Sequence, residues 1–323
     1  MNREQIKNRQ KLDPEKEEFL FGELPHMVGE RLSDLQVSSV YTGEVKKNNG
    51  VKYYAMYADV GGGGTSPCVY LDELLEDSVC GLDDGKKERI ADIIANSIRT
   101  ALSEADRLPE ELISAKDIPE RLGLRLINRE ENRELLNEIP HRDYLDLSAI
   151  LVWYMDLSRG KGVIRLNQHI LDELGYSFDE LYPMALSNMQ FKHPSRFRYL
   201  EDMLNELLPC QMTPVSIPLY CLTVEDISYG AVAMLYSGKL KEIYEYLGEA
   251  YYVIPSSVNE LLIMPSSVVD DRFYLMDMIH SVNDEAVEAT EVLSDSLYFY
   301  SPDRDDLELC PDERKGTKFC AVV

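Results

Sequence analysis

Residues 126–146, LINREENRELLNEIPHRDYLD, constrain the fold more than any other stretch of this chain. Amides, guanidinium groups, carboxylates and a histidine crowd together there and then run directly into the longest apolar run. Asn128 can cap a helix, and Glu131, three residues on, completes a capping-box arrangement. The spacing therefore predicts a helix after Asn128, with Leu135, Leu136 and Ile139 on its inner side. Pro140 forces Ile139 out of helical geometry and ends that helix; His141, Arg142 and Asp143 then read as the turn. A strand is predicted from Leu145 onward. Its odd positions (Leu145, Leu147, Ala149, Leu151, Trp153 and Met155) are all apolar. Its even positions begin polar at Asp146 and Ser148 and become apolar at Ile150, Val152 and Tyr154. Such a strand enters at the edge of a core and becomes buried on both faces.

The segments around that strand point to an α+β fold: mostly antiparallel sheets built from hairpins, with helices packed on them, in two lobes. Residues 16–35 carry apolar positions at helical spacing, with a break and restart predicted at Pro25. Strands over 37–45 and 51–60 are joined by Asn48-Asn49-Gly50, which supplies the positive φ angles of a tight hairpin. Residues 85–107 form the clearest helix, with an apolar stripe through Ile90, Ile94 and Ile98. After the central strand come a return strand over 163–166, a helix over 168–174 closed by Gly175, and a helix capped by Ser177 and Glu180. Residues 190–198 read as a loop and 199–208 as a helix. The last third reads as a hairpin of 217–223 with 229–236, a helix over 239–247 ended by Gly248, and a hairpin of 251–254 with 260–264. A helix over 270–284 and a strand over 296–300 follow. Strand–turn–strand–helix–Gly over 147–175 is echoed over 219–248, as an old duplication or a common arrangement would leave it. The domain organisation predicted is a frayed or disordered N-terminus (1–15), an N-terminal α+β region (16–208), a linker at 209–214, a C-terminal α+β region (215–300) and a charged tail (301–323).

At 323 residues, 45% hydrophobic and 28% charged, the chain has the composition of a globular protein. Its formal net charge of −25, from 58 acidic and 33 basic residues, repels phosphate backbones, and no basic stripe offsets it. Direct nucleic-acid binding is therefore not expected. The same charge suits a basic partner, or imitation of nucleic acid against a DNA-binding protein. No apolar run approaches the ~20 residues needed to span a bilayer, and the polar first residues are not those of a signal peptide. Six scattered cysteines with no C-x-x-C fit free thiols in a reducing cytoplasm, with no membrane partner.

The candidate binding residues are Asn128, Asn132, Arg133 and His141. On a helix Asn128 and Asn132 share a face, with Arg129 and Arg133 beside them. A planar guanidinium fork there would grip a carboxylate, a phosphate or a peptide backbone. A helix cap with surface ion pairs, such as Glu130 with Arg133, accounts for the same residues without a ligand. No catalytic residue, metal site or cofactor is indicated. The four glycines at 61–64 lack the G-K-[ST] of a phosphate loop, and there is no G-x-S-x-G elbow. The five histidines are dispersed without H-E-x-x-H, and Asp303, Asp305 and Asp306 lack the glycine and closing glutamate of a calcium loop. Cys320-Ala-Val-Val has the form of a prenylation box, although valine is not a typical last residue.

Several blocks together carry a resemblance: KNNGVKYYAMY (47–57), SPCVYLDELLED (66–77), LINREENRELLNEIPHRDYLDLSAI (126–150) and GVIRLNQHILDELG (162–175). YGAVAMLYSGKLKEIYEYLGEAYYVIPSSVNELLIMP (229–265) and EVLSDSLYFY (291–300) complete it. With them the chain resembles a bacterial family catalogued as domain of unknown function 5688, frequent in Firmicutes and often encoded near mobile elements. The resemblance spans nearly all of residues 37–309 and implies an architecture and a cytoplasmic bacterial setting. It brings no activity and no catalytic residue. The four-glycine insertion and the Cys-Ala-Val-Val tail depart from it. The function expected is that of a non-enzymatic binding or regulatory module engaging a protein or peptide partner. The alternatives are an acidic nucleic-acid mimic linked to mobile elements, and an enzyme whose active site no motif reveals.

Overall fold

The computed structural model describes residues 1–7, 14–60, 68–71, 83–105, 118–157, 160–207, 218–225 and 229–315. The four-glycine stretch, the linker at 209–214 and Cys320 lie outside the described residues. The chain divides into two compact units, one of residues 8–114 and one of residues 1–7 with 115–323. The architecture is α+β, and every sheet is antiparallel.

Helix α1 (Arg3–Lys7) opens the chain and belongs to the larger unit. In the smaller unit, α2 (Pro14–Glu18) runs through a π-helical turn at Phe19–Glu23 into α3 (Leu24–Arg31). The break expected at Pro25 does not occur. Pro25 sits in the first turn of α3, where a missing N–H costs little. Strands β1 (Ser39–Lys46) and β2 (Lys52–Asp59) form the expected hairpin, and Asn49 and Gly50 take φ of 60° and 65° in its turn. Strand β3 (Cys68–Tyr70) adds to β2. Ile90, Ile94 and Ile98 of α4 (Asp84–Ala105) join Phe19, Leu20 and Leu24 in the buried core. The opposite sheet face carries tyrosines, with Tyr41 stacked on Tyr57 at 5.2 Å and Tyr53 edge-on to Tyr70 at 6.0 Å.

Among the described residues the larger unit holds two sheets. After α5 (Ile118–Arg121) come β4 (Leu122–Asn128), α6 (Arg133–Leu136), β5 (His141–Tyr144), β6 (Leu147–Leu157) and β7 (Gly160–Arg165). The predicted strand is β6, the centre of this sheet: β4 lies along one edge, and β5 and β7 follow one another along the other. Two expectations are corrected here. Residues 122–128 pair with β6 from Leu122–Trp153 to Asn128–Leu147, so Asn128 ends a strand and does not cap a helix. Only four residues of the expected helix, those of α6, are helical. His141, Arg142 and Asp143 pair with β6, and the turn is the two-residue Leu145-Asp146, with Leu145 at φ 56°.

Helix α7 (Gln168–Leu174) is closed by Gly175 at φ 72°, and α8 (Phe178–Lys192) begins at a full Ser177–Glu180 capping box, both as expected. The second sheet has the order β13-β12-β10-β11-β9-β8, from β8 (Ser195–Tyr199), β9 (Tyr220–Val224), β10 (Tyr251–Ile254), β11 (Leu261–Pro265), β12 (Tyr298–Ser301) and β13 (Asp306–Leu309). Helices α9 (Leu200–Leu207), α10 (Lys239–Leu247) and α11 (Arg272–Glu285) complete the unit.

Residues 190–198, expected as a loop, hold the end of α8 and most of β8. Residues 229–236, expected as a return strand, form a buried 3-10 segment at Gly230–Leu235 instead. Both edges of β9 are already taken, by β8 and β11, so a further strand has no ladder to join. The echo over 219–248 fails for the same reason. β8 and β9 pair across the expected domain linker, so that linker separates no units. The charged tail supplies the edge strand β13, and the first residues supply α1.

Candidate functional site

The segment from Asn128 to Asp146 is a structural clasp. Asn128 is buried: its side-chain oxygen accepts from the Glu131 N–H at 2.9 Å, and its amide donates to the Leu293 carbonyl at 2.9 Å. Asn132, only 3% exposed, donates to the Asn128 carbonyl at 2.8 Å. Both amides therefore bond to backbone groups, at the end of β4 and at Leu293. Arg133 stands apart on the surface, paired with Glu130. His141 Nδ1 lies 3.0 Å from the Ile139 carbonyl oxygen, and its Nε2 is 3.8 Å from Asp143. Asp143 accepts from Ser148 Oγ at 2.7 Å and pairs with Arg129 at 3.2 Å. The Ser148 hydrogen bond outweighs desolvation and, with Arg129, holds the carboxyl below its usual range. Asn128 and Asn132 meet, whereas Arg133 and His141 each bind a local partner of their own.

At the other end of the segment, Asp146 receives three hydroxyls: Ser294 Oγ at 2.6 Å, Ser296 Oγ at 2.8 Å and Tyr298 Oη. Burial, the nearby Asp146 charge and this hydrogen bond keep the Tyr298 hydroxyl protonated far above its ordinary range. Between the two serines, Asp295 takes both oxygens onto Arg3 Nη1, at 2.7 and 2.8 Å, and accepts from Asn283 at 2.8 Å. Asn283 also donates to the Ser294 carbonyl at 2.9 Å. The Leu293–Ser296 run thus ties β4, the β5–β6 turn, α1 and α11 to the start of β12.

A different feature faces outward. β8 is the last strand of the six-stranded sheet, and among the described residues no strand pairs with its outer edge. Ser195, Phe197 and Tyr199 alternate with Arg196 and Arg198, so one face of this edge strand is aromatic. Phe197 stacks on Tyr220 at 5.2 Å, Tyr199 meets Tyr220 edge-on at 5.6 Å, and Tyr246 of α10 packs edge-on against Phe197 at 5.5 Å and Tyr220 at 6.0 Å. Tyr246 is 69% exposed. Arg196 and Arg198 are held by Glu225 at 2.8 Å and Glu206 at 2.6 Å. This cluster was missed by reading 190–198 as a loop. The period-2 pattern of Ser-Arg-Phe-Arg-Tyr was the signal that could have found it.

Buried Cys221, beside Glu260, is pushed up to about 12 by desolvation, and Cys310 to about 11, so neither thiol is an activated nucleophile. Among the described residues no group of three or more His, Cys, Asp or Glu side chains could hold a metal ion, and no helix is long and apolar enough to cross a membrane. No curated protein and no solved structure matched the chain. Residues 17–302 match the family of unknown function DUF5688, and the chain belongs to that family.

Proposed function

We propose that this protein is a non-enzymatic binding module of the cytoplasm, engaging a protein or peptide partner through the aromatic face of β8 and α10. The observation that carries the reading is the cluster of Phe197, Tyr199, Tyr220 and Tyr246 at a sheet edge that no described strand covers. Aromatic residues supply most of the energy at the centres of protein interfaces, because they bury large area at small entropic cost. A strand edge beside them offers backbone groups to an extended segment of the partner. The net charge of −25 selects a partner that presents basic as well as apolar side chains. Free Cys68, Cys221 and Cys310 fit a reducing compartment.

The test is quantitative capture from host lysate with the wild-type chain and with Tyr246→Ala, read by mass spectrometry. A partner retained by the wild type and depleted about tenfold or more by Tyr246→Ala supports the reading, since a central interface tyrosine contributes roughly 2 kcal/mol. Equal recovery on both baits, or no partner on either, contradicts it. The −25 charge also favours a second reading, an acidic mimic that occupies a DNA-binding surface. Capture that survives Tyr246→Ala but collapses between low and moderate salt would select that reading instead.

A further inference from the structure

Arg125 is the one charged residue in β4, whose sequence is Leu-Gly-Leu-Arg-Leu-Ile-Asn. A cation placed in a strand buried on both sides needs compensation. Elsewhere in this acidic chain guanidinium groups find carboxylates: Arg3 has Asp295, Arg142 has Asp179 and Arg314 has Asp277. Among the described residues no carboxylate lies within ion-pair distance of Arg125. Its neighbours among the described residues include aromatic rings. Its guanidinium carbon lies 3.8 Å from the Tyr229 ring centroid and 5.8 Å from that of Tyr154. Arg125 Nε is buried and has no hydrogen-bond partner, and the Tyr154 hydroxyl, also buried, has Arg125 as its polar neighbour.

The backbone is arranged to keep Tyr229 in place. Tyr229 sits at φ 70°, a conformation a bulky residue rarely adopts, and its N–H is fixed by Asn259 Oδ1 at 3.0 Å. The next residue, Gly230, lies so close to Thr223 and the Asn259 carbonyl that a Cβ there would meet them at 2.2 and 2.4 Å. Strain of this kind persists where the surroundings over-determine it, and it clusters at ligand clamps. The Tyr229 ring covers a face of the guanidinium and does not use its N–H groups, which lie in the plane where a planar acceptor would meet them. Arg125, Tyr154 and Tyr229 are each only partly buried, so the cluster reaches the surface.

We infer that Arg125, with Tyr154 and Tyr229, forms a binding site for a small oxyanion, a carboxylate or phosphate group taken in the plane of the guanidinium. The anion accepts from the fork and from the Tyr154 hydroxyl, and Tyr229 holds the guanidinium flat against the site. The site is independent of the aromatic edge of β8.

Titration calorimetry of the full chain with sodium phosphate and with sodium acetate, against sodium chloride at matched ionic strength, tests the assignment. The wild type is expected to bind one or both anions saturably, and the preferred one distinguishes phosphate from carboxylate. Arg125→Met should lose about tenfold or more in affinity, as expected for a lost charge-assisted hydrogen bond, and Arg125→Lys should fall between them. Binding should also perturb the near-ultraviolet absorbance of tyrosine in the wild type but less in Tyr154→Phe, which keeps the ring and guards against a folding defect in the arginine variants. Tyr246→Ala should bind the anion like the wild type. No saturable binding by the wild type, or equal binding by wild type, Arg125→Met and Arg125→Lys, would overturn the site and leave the cluster as a packing arrangement.

Discussion

At the scale of single residues, the most consequential group is Asp146. Three hydroxyls converge on its carboxylate, and two of them belong to buried residues, Ser294 and Tyr298. Asp146→Ala leaves those donors without an acceptor and should cost about 3 kcal/mol, whereas Asp146→Asn, which keeps an oxygen, should cost about 1 kcal/mol. Urea unfolding midpoints of the two variants check the difference, and equal midpoints would remove the clasp from the account. Asp295 makes a pH prediction. Burial alone would raise its carboxyl, but hydrogen bonds from Asn283 and Arg3 outweigh that and hold it below the usual range. A depressed folded pKa gives stability that is present above the unfolded value and lost as pH falls through the folded one. Stability from this site should therefore be intact above about pH 5 and decline below about pH 4. Asp295→Asn should flatten that limb of the urea–pH curve; a limb of unchanged slope would assign it to other carboxylates. The polarity around Asn128 and Asp146 was legible in the sequence, but its partners were not. Leu293, Ser294 and Tyr298 lie about 150 residues away, and nothing local marks a residue as the far half of a hydrogen bond.

At the scale of elements, what was legible depended on local chemistry. The Asn-Gly hairpin of β1 and β2, the capping box of α8 and the glycine stops after α7 and α10 stand where the sequence places them, because each is decided within a few residues. Ser177→Ala should accordingly destabilise by about 1 kcal/mol, the worth of an N-cap side chain, and a chemical-denaturation curve overlying that of the wild type would contradict it. β8 carries a readable alternation, but the 3-10 segment after Tyr229 was not legible, since it depends on which edges of β9 are free. Gly230 marks that junction. A methyl group there would meet Thr223 Oγ1, the Asn259 carbonyl and the Val224 amide, two of them backbone atoms that cannot step aside. Gly230→Ala should cost about 3 kcal/mol, well above the capping variant, in a thermal-shift comparison.

At the scale of the whole molecule, α+β character and antiparallel pairing were readable from alternating segments and turn residues, while the division of the chain was not. The unit of residues 8–114 has its own core, built from α3, α4 and the inner face of the β1–β2–β3 sheet, so an isolated 8–114 fragment should unfold cooperatively on heating. A broad, featureless melt would show that its core is incomplete. The functional account turns on the aromatic edge of the other unit. Its most direct measurement is the affinity of the captured partner for wild type and Tyr246→Ala at two salt concentrations. The Kd should rise about tenfold or more on the substitution and change less with salt than with the substitution, as for a binding energy centred on buried aromatic rings. A Kd indifferent to Tyr246 and weakened steeply by salt would contradict it.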